Sequence, residues 1–359
     1  MTKRALIMAG GTGGHVFPAL SVARLLQRQG IEVHWLGGKA GIENELVPDA
    51  GYPLHTIDVV GLRGKGGLQI LRAPFLVVRA VWQSWQVFRR VKPDVVLGLG
   101  GFASGPGGIV AKLTATPLLI HEQNAIPGMT NKWLAKVANK TLQAFAGTFR
   151  DPKAISVGNP VREDIMRLPS PDARMAPRLQ QPLRVLVVGG SLGAQAINLA
   201  MCEALASMPA EKRPQVWHQT GKKDFERCQQ QYQAAGVDVK VSPFISDMSE
   251  AYAWADLVVC RSGALTVCEL MAAGCASLLI PFPHAVDDHQ TANGMFLVNA
   301  GAAKLRAQSA LSAATLADDL NYFAGHKQEL MAMAHAARTL AKPDAAKQVA
   351  DFCIEALHD

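Results

Sequence analysis

The sequence predicts an α/β protein built as two Rossmann-like domains in tandem, each with a parallel sheet, facing a cleft. Three observations predict it. Short apolar runs alternate with longer helical stretches, as in strands buried on both faces of a parallel sheet. One loop design occurs twice: residues 5–9 run into GGTGGH and residues 183–188 run into GGSLGAQ, with Thr12 matching Ser191 and Gly14 matching Gly193. The length of 359 residues suits two domains, and 49% hydrophobic with 18% charged residues suits two sizeable cores.

The first strand is expected over residues 5–9 and its helix from about Pro18. The Gly-rich turn between them lets backbone N–H groups approach a phosphate or sugar closely. A nicotinamide site would need an acidic residue closing the second strand, about 20 residues after the glycines. That strand, residues 32–36, ends at Gly37, and its counterpart in the second half, residues 215–219, ends near Thr220. Neither closes with Asp or Glu, so no nicotinamide cofactor is expected. Further strands over 94–99 and 117–121 lead into GGFASGPGG and HEQNAIPG. All these loops follow strands and should gather on one rim. VGNPVR, residues 157–162, ends the first half, and the Pro- and Arg-bearing segment up to Pro182 marks the junction.

In the second half, the strand 255–259 runs into a polar turn at Arg261, Ser262 and Gly263. A helix then spans 264–273, stops at Gly274 and returns to a strand over 276–280. Its start offers unpaired N–H groups and a partial positive charge, which suit phosphate. Glu269, about one and a half turns in, can accept two hydrogen bonds from a ribose diol. Asp287, Asp288, His289, Gln290 and Asn293 form a polar cluster. It reads either as a sugar-hydroxyl site or as a solvated loop with an N-cap at Asp287 or Asp288. Residues 343–358 read as an amphipathic helix.

A formal net charge of +7 favours anionic partners. The six cysteines form no CxxC pair and read as reduced, mostly buried thiols. MTKRALIMAGG does not read as a signal peptide, and no apolar run reaches membrane-spanning length. Leu71, Phe75, Val78, Trp82 and Trp85 recur at helical spacing beside Arg72, Arg79 and Arg89. This is either a core helix with solvated arginines or a helix that docks on an anionic bilayer surface. No nucleic-acid recognition motif is present.

RSGALTVCE followed by PFPHAVDDHQTAN resembles the donor-sugar site of the MurG family. The resemblance extends through GGTGGHVFPAL, GLRGKG, GGFASGPGG, HEQNAIPG, VGNPVR, VVGGSLGAQ and AYAWADLVVCRSGALT, in order, over nearly the whole chain. It departs at Leu192, where the family often has Gln, and at Cys268, where it often has Ser. The resemblance implies a GT-B glycosyltransferase with an acceptor and membrane-docking domain over 1–161. Residues 343–359 would pack back on that domain, and 162–342 would form the donor domain. It implies inverting transfer of N-acetylglucosamine from UDP-N-acetylglucosamine to the muramyl 4-hydroxyl of an undecaprenyl-diphosphate-linked muramyl pentapeptide. Implied too are a peripheral position on the cytoplasmic face of the bacterial inner membrane and cell-wall synthesis and division proteins as partners. It decides the Trp-bearing helix in favour of membrane docking.

The site residues follow. Ser191 and the helix start Ala264, Leu265, Thr266, Val267, Cys268 and Glu269 would hold the donor, with Arg162 adding charge at the diphosphate. Ile245 would meet uracil, and His289 and Gln290 the sugar hydroxyls. His15 is the candidate base. It sits at a helix N-terminus, where an imidazole, titrating near pH ~6.5 when unperturbed, can face the reacting groups. It could alternatively hydrogen-bond the substrate diphosphate, and Glu122 is the alternative base. Thr12, Gly13, Gly14 and Asn124 would line the same cleft. Asp287 and Asp288 could hold a divalent ion, but the sequence requires no metal. The rival readings are another UDP-sugar enzyme, such as an epimerase or a diacylglycerol glycosyltransferase, and a non-catalytic nucleotide or nucleic-acid binder.

Overall fold

The computed structural model describes residues 2–59, 67–190 and 193–358, with the backbone alone for 67–73. The chain forms two compact units, Met1–Arg162 with Lys342–Asp359, and Glu163–Ala341.

The first unit carries a seven-stranded sheet: β1 (Arg4–Met8), β2 (Glu32–Gly38), β3 (Leu54–Ile57), β4 (Val95–Gly98), β5 (Leu118–Glu122), β6 (Lys140–Gln143) and β7 (Ile155–Ser156). Their order is β3-β2-β1-β4-β5-β6-β7, every pair parallel. The pleat sends alternate side chains to opposite faces. Ala5, Ile7, Leu97 and Leu119 therefore join one core, and Leu6, Met8, Val96 and Ile120 the other. The first core is closed by the helix Gly13–Arg28, through Val16, Ala19 and Ala23, and by the C-terminal helix Ala345–Glu355, through Val349, Ala350 and Cys353.

The helix expected from Pro18 begins at Gly13 instead. Thr12 is extended, and its carbonyl accepts from the amides of His15 and Val16, closing the first turn ahead of the proline. The Trp-bearing helix is Gly67–Val91. Ala80, Ser84, Val87, Phe88 and Val91 form its buried side.

The second unit repeats the plan with six strands: β8 (Arg184–Val188), β9 (Gln215–Gln219), β10 (Lys240–Ser242), β11 (Leu257–Cys260), β12 (Ala276–Leu279) and β13 (Ala303–Leu305). All are parallel, in the order β10-β9-β8-β11-β12-β13. One face of this sheet packs on the helix Gln195–Ser207 through Ile197, Met201, Ala204 and Leu205. All six cysteines are buried and free.

Candidate active site

In each sheet the strand order reverses once, between β1 and β4 and between β8 and β11. Loops leaving the carboxyl ends of such strands frame the place where this fold class binds ligands. The Gly-rich motifs occupy these positions in both units.

In the first unit, Gly101 has φ +87, and a Cβ there would lie 2.7 Å from the Gly10 carbonyl oxygen, so the two loops approach as only glycine allows. Ser104 Oγ lies within hydrogen-bonding distance of both, 3.1 Å from Met8 O and 2.8 Å from Gly100 O. Gly13 and Gly14 open the helix, where first-turn amides have no intrahelical acceptor. Thr12 is exposed and its side chain makes no capping bond. His15, half-buried, places Nδ1 3.1 Å from Gly10 O. A carbonyl only accepts, so this contact places a hydrogen on Nδ1, and in the neutral ring the lone pair is then on Nε2. Nε2 has no hydrogen-bond partner among the described residues. It lies along Gly100, where a Cβ would come within 3.0 Å.

Glu122 does not suit the role of base. It is buried, and each oxygen accepts two hydrogen bonds. Oε1 takes the Asn124 amide (2.9 Å) and Nδ2 (3.1 Å), while Oε2 takes the Gly128 amide (3.0 Å) and Asn131 Nδ2 (2.9 Å). A carboxylate so occupied staples the loop after β5 and orients Asn124. Gln123 adds a 2.6 Å bond from Nε2 to Leu99 O, tying that loop to the end of β4. Arg162, half-buried, ends the first segment of this unit. Its guanidinium has no hydrogen bond or ion pair among the described residues, so it does not serve as a surface salt bridge.

In the second unit, Ser191 lies outside the described residues. The helix Ala264–Ala273 starts from an extended Gly263 and ends on left-handed Gly274, φ +63. The Val267 amide already donates to Gly263 O at 2.9 Å. The amides left open by helix geometry are those of Ala264, Leu265 and Thr266. The side chains of Val267 and Cys268 are buried in the packing of this helix. Glu269 is nearly buried, and Tyr252 donates its hydroxyl to Oε2 at 3.0 Å, which fixes the carboxylate plane. Burial, with Glu269 beside it, pushes the Tyr252 phenol well above its ordinary range. Arg261 turns away and donates to Ile280 O, Pro281 O and Gln308 Oε1.

The polar cluster after β12 is ordered by its own bonds. His289 Nδ1 lies 2.7 Å from Val286 O, and Gln290 Oε1 accepts from the Phe282 amide at 2.9 Å. Asp287 and Asp288 are both left-handed. Asp288 precedes the helix His289–Asn299 but accepts from the Thr291 hydroxyl at 2.7 Å, and its side chain caps no amide, unlike the alternative reading of an N-cap at this position. Ile245 is buried beside exposed Phe244. Among the described residues no group of three or more His, Cys, Asp or Glu is arranged to hold a metal ion.

Residues 5–143 match the glycosyltransferase family 28 N-terminal domain, and residues 184–349 match its C-terminal domain. The crystal structure of Acinetobacter baumannii MurG is 40% identical, with a TM-score of 0.84, and the match covers 98% of this chain and 99% of that one. The chain belongs to the MurG family. A relative from Marinobacter nauticus is 54% identical over 99% of this chain and 98% of its own length. Another, from Stutzerimonas stutzeri, is 53% identical over the whole of both chains. Both are named UDP-N-acetylglucosamine--N-acetylmuramyl-(pentapeptide) pyrophosphoryl-undecaprenol N-acetylglucosamine transferase.

In this MurG-family chain the Trp-bearing helix turns its stripe outward. Phe75 (72%), Val78 (67%), Trp82 (59%) and Trp85 (39%) are exposed, so the core-helix reading fails for this face. Arg79 pairs with Asp58 at 2.6 Å, and Arg89 is exposed. The side chains of Leu71 and Arg72 lie outside the described residues. The sequence reading did not single out the further exposed apolar residues Leu113, Met129 and Trp133 of the same unit, with Lys136 over the Trp133 ring at 4.3 Å. Their signal was large apolar residues beside lysines on short helices.

Proposed function

We propose that this protein transfers N-acetylglucosamine from UDP-N-acetylglucosamine to the muramyl 4-hydroxyl of an undecaprenyl-diphosphate-linked muramyl pentapeptide. The carrying observation is the switch point of the second sheet. There three open helix-start amides and a carboxylate fixed by Tyr252 stand on one helix. The amides and the helix dipole suit a diphosphate, and Glu269 suits a ribose diol. The names of the full-length relatives supply the sugar and the acceptor.

In this reading His15 Nε2 takes the proton of the acceptor hydroxyl as its oxygen attacks the anomeric carbon. The bond from that carbon to the diphosphate breaks, and the electron pair leaves with UDP. One displacement inverts the anomeric centre. The developing negative charge on UDP is met by the amides of residues 264–266. Ser191 and Thr266 would add hydroxyl contacts, the backbone at Ile245 would meet uracil, and His289 with Gln290 would meet the sugar. No divalent ion or nicotinamide is required, so a chelator leaves turnover unchanged.

The exposed aromatic stripe with Arg79 and Arg89, extended by Trp133 and Lys136, is the surface that would rest on an anionic membrane. No helix among the described residues is long and apolar enough to cross one, and the reading is of peripheral attachment at the inner face. The test offers labelled UDP-N-acetylglucosamine with the muramyl-pentapeptide polyprenyl diphosphate. The lipid-linked disaccharide is expected. Conversion of the sugar nucleotide without the acceptor, and no disaccharide with it, would sink the proposal.

A further inference from the structure

The first Gly-rich loop rests on a buried carboxylate. Glu43 opens the helix Glu43–Asp49 and is 1% exposed. Its Oε2 accepts the Gly11 amide at 2.8 Å, and Oε1 accepts the Gly38 amide at 3.2 Å. No ion pair reaches it among the described residues. The backbone closes around it: a Cβ on Gly37 would lie 2.9 Å from Glu43 Cγ, and one on Gly10 or Gly41 would collide with the carboxylate.

The Gly11 N–H belongs to the same peptide group as the Gly10 carbonyl, and that carbonyl lies 3.1 Å from His15 Nδ1. One peptide plane therefore links the acid to the imidazole, with the carboxylate on its N–H and the ring on its oxygen. A negative charge on the N–H side makes the carbonyl oxygen a stronger acceptor, because hydrogen bonds in a chain polarise one another. In the second unit a neutral amide, Gln219 Nε2, donates to Gly190 O at 3.0 Å; Gly190 matches Gly11, so that contact falls on the peptide one residue further on.

We propose that Glu43 is a positioning residue for proton transfer: through the Gly10–Gly11 peptide it holds the proton on His15 Nδ1, keeps Nε2 free as the base, and stabilises the imidazolium formed in transfer. This rests on His15 acting as the base. The carboxylate itself touches no substrate.

The test has two arms. In ¹⁵N long-range spectra of the uniformly labelled protein at alkaline pH, with the His15 signal assigned by His15→Gln, the wild type shows Nδ1 protonated and Nε2 bare. Glu43→Gln keeps the shape but loses the charge and one of the two acceptors, so the ring shifts towards the Nε2–H form that free histidine prefers. In the same variant kcat falls about tenfold or more while KM for UDP-N-acetylglucosamine stays within about twofold. A wild-type His15 carrying its proton on Nε2 overturns the proposal even if the variant fails to fold. So does a folded Glu43→Gln with unchanged tautomer and kcat. The spectra need no acceptor and no turnover, so failure of the transferase reading would silence the kinetic arm while leaving the tautomer to decide this one.

Discussion

Truncating Glu269 has two separable consequences, because the carboxylate serves a fold partner and, in the proposed function, a ligand. On the fold side, Glu269→Ala strands the Tyr252 hydroxyl, whose residue is 1% exposed and whose partner at 3.0 Å disappears. An unsatisfied buried hydroxyl costs about 1–3 kcal/mol. On the ligand side, two charge-assisted bonds to the ribose diol at about 1.5 kcal/mol each amount to about 3 kcal/mol, or about 100-fold in the Kd for UDP. Glu269→Gln keeps one acceptor oxygen, which Tyr252 can occupy, and turns an amide donor towards the ribose, so it should melt near the wild type and lose about tenfold in affinity. Adding Tyr252→Phe to Glu269→Ala removes the stranded hydroxyl and should recover stability without recovering affinity. Calorimetric titration with UDP, beside thermal melts, measures both effects. A folded Glu269→Ala that binds UDP within about threefold of the wild type would refute the ribose assignment.

Three further outcomes are expected. His218 is buried, with Nδ1 2.8 Å from the Tyr232 hydroxyl, and burial drives its imidazole down to about 3. A lowered folded value means that the neutral ring stabilises the fold above the unfolded value near ~6.5 and that this stability is lost as pH falls towards about 3. At pH ~5 the loss is about 2 kcal/mol, read by urea titration at two pH values, and His218→Gln should show much less of it. Gly101→Ala must bring a methyl group within 2.7 Å of Gly10 O at φ +87, so a fall in melting temperature corresponding to at least ~1 kcal/mol is expected, with loss of turnover. Replacing Phe75, Trp82 and Trp133 together by Ser should abolish sedimentation with anionic vesicles. Each is exposed, so each should change stability by no more than about 0.5 kcal/mol.

Much of the architecture was legible because parallel strands buried on both faces read as apolar runs. The helix end at Gly274 and the strand end at Gln219 fall where expected, whereas the second strand runs to Gly38, past the end expected at Gly37. The start of the first helix was not legible. Pro18 resembles a helix opener in sequence, and only the extended backbone of Thr12 shows the turn closing earlier. Glu122 looked like a base because an acid beside a Gly-rich rim has the right chemistry. Its four donors come from residues two to nine positions on, brought together by a loop whose path no local pattern encodes. Val267 and Cys268 were named with their helix, and only the folded structure shows that both side chains are buried.

By itself the sequence determined the pairing of two nucleotide-type units, the loops at their switch points and the chemistry of the residues those loops carry. These follow from local rules: apolar periodicity, glycine where a backbone must come close, and amides left open where a helix begins. The tertiary structure decided which carboxylates are committed elsewhere, which way the tryptophans face and what lies beneath the first Gly-rich turn. Glu43 is separated from Gly11 by a helix, a strand and a turn, so its hold on that peptide exists only once β2 has paired with β1 and brought the two together.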